Sequence, residues 1–161
     1  MADIEEFLPD VQPFVPGCPN KLIIDAIRNA AIRFCEDTTL IREDLPDSDV
    51  LVGIDDYTIT ASADKKPVGV ISYLHDKKPL DIKTEEELDI IDQGWRTSDP
   101  GVAFYILQPE PDRIKLNRVP AEQILGGMKV SIATRPLDTA TTIDDRIYSE
   151  WRDAIKYGAL K

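Results

Sequence analysis

The chain is 161 residues long and acidic, with 30 Asp and Glu against 19 Lys and Arg and a formal net charge of −11. That balance argues against tight wrapping of nucleic acid, which needs clustered Lys and Arg facing phosphate. Apolar residues at 42% and charged residues at 30% are ordinary for a soluble globular chain, and the length predicts one domain able to bury a core.

Residues 1–16 read as an extended arm. Pro9, Pro13 and Pro16 interrupt the segment, and proline lacks an amide donor and disfavours helix before it. Phe7, Leu8, Val11, Phe14 and Val15 lie between the prolines and need an apolar surface, either the protein's own core or a neighbouring subunit. The opening residues are acidic, without the basic region of a secretory signal, and no apolar run approaches the roughly 18 residues needed to span a membrane.

An amphipathic helix is predicted over residues 19–37. Pro19 suits its first turn, and Leu22, Ile23, Ala26, Ile27, Ala30, Ala31, Phe34 and Cys35 recur at three- and four-residue spacing. With Cys18 at the start of that helix, Cys18 and Cys35 stand roughly 25 Å apart along its axis. A disulfide cannot span that distance, so both are expected to be free thiols.

A β-rich stretch over residues 39–136 follows. Strands are predicted at 39–43, 50–54, 57–61, 68–75, 103–108, 113–119 and 129–135, with a hairpin tip at 76–80 and turns at 46–49 and 98–101. Thr84 followed by Glu87 is a capping box that opens a short helix ending at Gly94. A second long amphipathic helix is predicted over 143–161, with Ile147, Trp151, Ala154, Ile155 and Leu160 as its buried stripe. The fold class expected is α+β: two long helices, N- and C-terminal, with an inserted, mostly antiparallel β region and one short helix.

Chemistry is not visible in this pattern. His75 is the only histidine; it reads as a solvated turn residue, because a triad needs a base beside a nucleophile. Two distant cysteines and one histidine cannot make a zinc site, and Gly126-Gly127 lacks a phosphate-loop context. The acidic runs at Asp55-Asp56, 85–87 and Asp144-Asp145 read as solvated faces. No catalytic, cofactor or metal residues are expected, and the chain does not read as an enzyme. Five residues are candidates for subunit or partner contact: Phe7, Phe14, Trp95, Arg96 and Trp151. Trp and Arg dominate interface hot spots. The competing structural role for Trp95 is a core plug, with Arg96 pairing an acid such as Asp92.

Three blocks occur in a recognisable order. The first is Phe14, Val15, Pro16, Gly17, Cys18 and Pro19 with the Ala-rich helix ending at Phe34-Cys35, then Thr38 and Arg42. The second runs from 68–73 through Lys78, Pro79, Leu80, Glu86, Glu87, Leu88 and Asp89 to Gly94, Trp95 and Arg96. The third is 110–114, the strand 129–135 with Pro136, and Trp151, Arg152, Ala154, Ile155, Gly158, Ala159 and Leu160. In this order the chain resembles the head-to-tail adaptor (connector) proteins of tailed bacteriophages, from about residue 7 onward. It departs at Leu40, Ile41 and Arg42, where those proteins have an aromatic before the arginine. The resemblance implies a structural virion protein at the head-tail junction, assembled in the host cytoplasm. It would form a homo-oligomeric, dodecameric ring that touches the portal protein and the tail tube or nozzle proteins. DNA would pass through the ring without sequence-specific binding, and no membrane would be involved. Residues 17–161 would then be a single adaptor domain, with a C-terminal arm expected beyond the last helix. The alternative within virions is a tail-terminator or head-completion (stopper) protein; a carboxylate-based hydrolase is the remote one.

Overall fold

The computed structural model describes residues 1–97 and 99–161; Ser98, which opens the expected turn at 98–101, lies outside the described residues. Its α-helices are α1 (Leu8–Val11), α2 (Asn20–Thr38), α3 (Glu85–Ile91), α4 (Asp145–Glu150) and α5 (Arg152–Ala159). The α+β class stands, but two long terminal helices do not: among these, only α2 is long. The predicted helix over 143–161 is broken at Trp151, which closes α4 and opens α5 with φ −125° and ψ 17°. The backbone bonds Trp151 N to Ile147 O (3.0 Å) and Ile155 N to Trp151 O (3.2 Å) run across the break. Ile147 and Ile155 both remain buried while the Trp151 side chain leaves the stripe.

The chain divides into two compact units. The first comprises Met1–Ile41, Ser62–Lys66 and Thr134–Lys161; the second comprises Arg42–Ala61 and Pro67–Ala133.

In the first unit the N-terminal residues are not an extended arm. They wind through a 3-10 turn (Ile4–Phe7), α1 and a second 3-10 turn (Gln12–Phe14). Tight turns suit this sequence because Pro9 and Pro13 occupy first-turn positions, where no amide donor is needed. A capping box between Asp3 and Glu6 starts the winding. Ile4, Phe7 and Val11 thereby join Ile23, Ile27, Ala31 and Cys35 of α2 and Ile143, Ile147 and Ile155 in one core. The strand Ala2–Asp3 pairs antiparallel with Thr142–Ile143. Helix α2 stops at Thr39, which adopts a left-handed conformation (φ 48°) and donates its amide to Cys35 O at 2.9 Å. Helices α2 and α5 approach closely where Gly158 meets Ala30: a Cβ on Gly158 would lie 3.0 Å from that of Ala30. Cys18 and Cys35 are free, as the helix geometry required.

In the second unit the strands form several small sheets. Asp56–Thr58, Arg113–Leu116, Tyr105–Leu107 and Asp81–Ile82 make one four-stranded sheet, the last pair parallel. Pro100–Gly101 pairs in parallel with Val119–Pro120. Arg42–Asp44, Ile124–Pro136, Lys65–His75 and Lys78–Pro79 form a further sheet, with Ser48–Val50 also on Ile124–Pro136. Pairing is mostly antiparallel, as expected. The tip at 76–80 is a tight hairpin, with Asp76 and Lys77 both at positive φ. Gly126 and Gly127 form a bulge inside Ile124–Pro136. A Cβ on Gly127 would meet Ile124 Cγ2 at 2.6 Å, so no larger residue fits. The core holds Val50, Val70, Tyr73, Ile106, Ile114, Leu116 and Ile132. Leu88 and Trp95 pack with Leu107 in a satellite cluster.

Candidate functional site

The five candidate contact residues fall into two classes. Phe7 is fully buried in the first unit's own core. It packs edge-to-face on Tyr148 (5.2 Å, 85°) under the Arg152 guanidinium. Arg152 bonds Asp10, donates to Tyr148 Oη at 2.6 Å and reaches Glu6 O at 3.1 Å, tying the N-terminal turns to α4 and α5. Trp95 is likewise a plug, 4% exposed. Its indole Nε1 donates to Asp89 Oδ1 at 2.8 Å, and Arg96 grips the same carboxylate with two bonds of 2.9 Å while stacking on the indole at 4.3 Å. These bonds hold the Asp89 carboxyl below its ordinary pKa, those from Arg96 first. The acids on Arg96 are thus Asp89 and, at 3.3 Å, Glu85 rather than Asp92. Asp92 instead takes Arg118 and the buried Asn117 (2.9 Å), whose own Oδ1 accepts the Phe104 and Tyr105 amides.

Phe14 and Trp151 remain at the surface of the first unit, 59% and 41% exposed. Phe14 carries the Lys156 ammonium 4.5 Å from its ring, and the exposed Tyr157 ring lies 5.6 Å from the same ammonium. These three side chains make an aromatic ledge around a cation. Trp151 leans on Phe34 at 5.5 Å.

The second unit carries an apolar surface that the pattern of the sequence concealed. Of the predicted strand at 50–54 only Val50 is strand, as the last residue of Ser48–Val50. Leu51, Val52 and Ile54 form an exposed tip, with Val52 at 59%. The loop is wrapped around one hydroxyl: Leu51 N donates to Tyr57 Oη at 3.0 Å, and Tyr57 Oη donates to Ile54 O at 2.9 Å. Gly53 N donates to Pro120 O at 3.0 Å, and Pro120 pairs with Gly101, which brings Val102 alongside. Ile124 lies opposite the buried Val50, so Leu125, 77% exposed, faces outward beside the tip. Contiguous apolar side chains of this kind mark contact surfaces more often than isolated ones. The signal in the sequence was the unbroken run Leu51, Val52, Gly53, Ile54, which lacks the alternation of a half-buried strand.

His75 is not a solvated turn residue: it is 8% exposed and stacks on Tyr73 at 6.4 Å. Burial lowers its pKa below the usual histidine value. Burial, reinforced by Asp144 and Glu36, pushes the Cys35 thiol up to about 12. Among the described residues, no group of three His, Cys, Asp or Glu side chains is placed to hold a metal ion. Asp56 pairs with Arg113 and Asp55 with Lys115. The cavity beside Cys35 and Thr134 measures about 10 Å³, room for about one water. No helix among the described residues is long and apolar enough to cross a membrane. No family model and no curated protein matches the chain.

Proposed function

We propose that this chain is a structural subunit of a phage virion, a head-to-tail adaptor that joins the portal to the tail in a ring of identical copies. The observation that carries the reading is the ordered series of sequence blocks from Phe14 to Leu160, which resembles that family along nearly the whole chain. The exposed surfaces support it. A subunit of a closed ring needs two different contact faces, one for each neighbour, and the chain offers the Phe14–Lys156–Tyr157 ledge and the Leu51–Val52–Ile54 tip. The acidic balance suits a channel wall past which DNA slides without being trapped. On this reading the partners are the portal protein and the tail tube or nozzle proteins, the site of action is the head-tail junction, and no substrate is turned over.

The test is sedimentation velocity of the chain alone and mixed with the portal protein of the same phage. Co-sedimentation near one chain per portal subunit is the expected result. Independent sedimentation of the two proteins would overturn the adaptor role and leave tail termination as the reading to examine.

A further inference from the structure

The two exposed surfaces differ in charge as well as in shape. The tip in the second unit gathers Leu51, Val52, Ile54, Val102 and Leu125, and its borders carry Asp49 and Glu122. Among the described residues neither acid has an ion-pair partner; Asp49 accepts only the neutral Gly126 amide, at 2.7 Å. The ledge in the first unit is the reverse. Its centre is the Lys156 ammonium, which rests on Phe14 and Tyr157 and has no ion-pair partner among the described residues. An ammonium held over aromatic faces keeps its charge and leaves ring surface open for apolar side chains.

Three pairings of these surfaces between copies are conceivable, and charge separates them. Tip on tip would bring Asp49 and Glu122 against their own counterparts. Ledge on ledge would oppose two Lys156 ammoniums. Tip on ledge sets aliphatic side chains on aromatic rings and unpaired acids beside an unpaired cation. Like charges facing each other at an interface cost affinity, while complementary ones set register.

We infer that the Leu51–Val52–Ile54 tip of one copy seats on the Phe14–Lys156–Tyr157 ledge of the next copy, a heterologous contact between unlike surfaces of the same chain. The inference deepens the ring reading given above and rests on it for the closure of the chain of contacts. It assigns the occupant of the tip as a second copy rather than the portal or the tail.

Two variants test it, each changing one exposed side chain: Val52→Asn on the tip, which removes apolar contact without adding charge, and Lys156→Glu on the ledge, with circular dichroism to check that both fold. The wild type should self-associate as concentration rises, and each variant alone should associate about tenfold or more weakly. An equimolar mixture of the two should regain association but stop at a dimer. The intact tip of the Lys156→Glu copy meets the intact ledge of the Val52→Asn copy, and no further working pair remains. A wild type that stays monomeric at the highest concentration, variants that associate like wild type, or a mixture that does not rescue would each overturn the contact. The portal experiment is independent: rescue without portal binding keeps this contact and removes the adaptor role, and portal binding without rescue does the opposite.

Discussion

Replacing Phe7 by alanine separates a residue that holds the subunit together from one that holds subunits to each other. Phe7 is completely buried against Tyr148, Arg152 and the core of α2. A phenyl side chain removes on the order of 150 Å² from water, which at about 25 cal/mol per Å² is about 4 kcal/mol. The edge-to-face pair with Tyr148 adds about 0.5–1.5 kcal/mol, and relaxation around the cavity returns part of the loss. Phe7→Ala should therefore cost about 3–5 kcal/mol, a fall of roughly 6–20 °C in Tm at this chain length. Phe7→Leu keeps most of the volume and should cost about 1.5 kcal/mol or less. Urea unfolding followed by far-UV circular dichroism, at low and high protein concentration, reads both. The loss should be the same at either concentration, because the contact lies within one chain. A cost for Phe7→Ala under about 1 kcal/mol, or one seen only at high concentration, would refute this account of the N-terminal turns.

Other groups give sharp expectations of their own. Gly158→Ala should gain about 1 kcal/mol from helix propensity but lose more against Ala30, and a double-mutant cycle with Ala30→Gly should show coupling of about 0.5–3 kcal/mol; stabilisation without coupling would dismiss the close α2–α5 approach. Cys35, raised to about 12 from 9.0, should react with a thiol reagent near pH 8 about a thousandfold more slowly in the folded than in the unfolded chain on thiolate fraction alone. Because its folded pKa lies above the unfolded one, the stability it contributes is full below pH 9 and is lost as pH rises toward 12, and Cys35→Ala should flatten that alkaline loss in urea titrations. His75 works in the opposite direction: its folded pKa lies below the ordinary 6.5, so its contribution is present above 6.5 and is lost as pH falls through the folded value. The urea midpoint should drop on acidification from about pH 8 to about pH 5, and His75→Gln should remove most of that drop.

Elements fixed by local chemistry were legible in the sequence. The stripe of Ile23, Ile27, Ala31 and Cys35 located α2 to within a residue or two, and Thr84 with Glu87 located the start of α3, where both capping bonds form. Elements fixed by tertiary contact were not. Residues 143–161 carry a continuous helical pattern, but Trp151 is drawn to Phe34 and Arg152 to Asp10 and Tyr148, and the helix breaks between those demands. Periodicity cannot register a partner that lies far away in sequence. Three prolines argued for an extended arm, yet first-turn prolines also permit short helical turns, and burial of Ile4, Phe7 and Val11 decided between the two. Of the candidate contact residues, type alone could not sort the plugs Phe7 and Trp95 from the surface side chains Phe14 and Trp151. The apolar tip was misread because a strand and an exposed loop are equally served by a run of aliphatic residues, until Tyr57 and Pro120 capture its backbone.

The interleaving of the two units has a consequence for synthesis on the ribosome. The first unit needs segments from both sides of residues 67–133, whereas the second lies wholly between Arg42 and Ala133. Helix α2 therefore leaves the ribosome early, and Ile147 and Ile155, which cover its stripe, come last. At about 5–20 residues per second the interval is roughly 5–20 s. During that time the whole chain of the second unit is made, and the apolar face of α2 waits. The N-terminal turns with Ile4, Phe7 and Val11 are the part of its final cover already made, so they are the portion of its core available to the nascent helix before the rest follows.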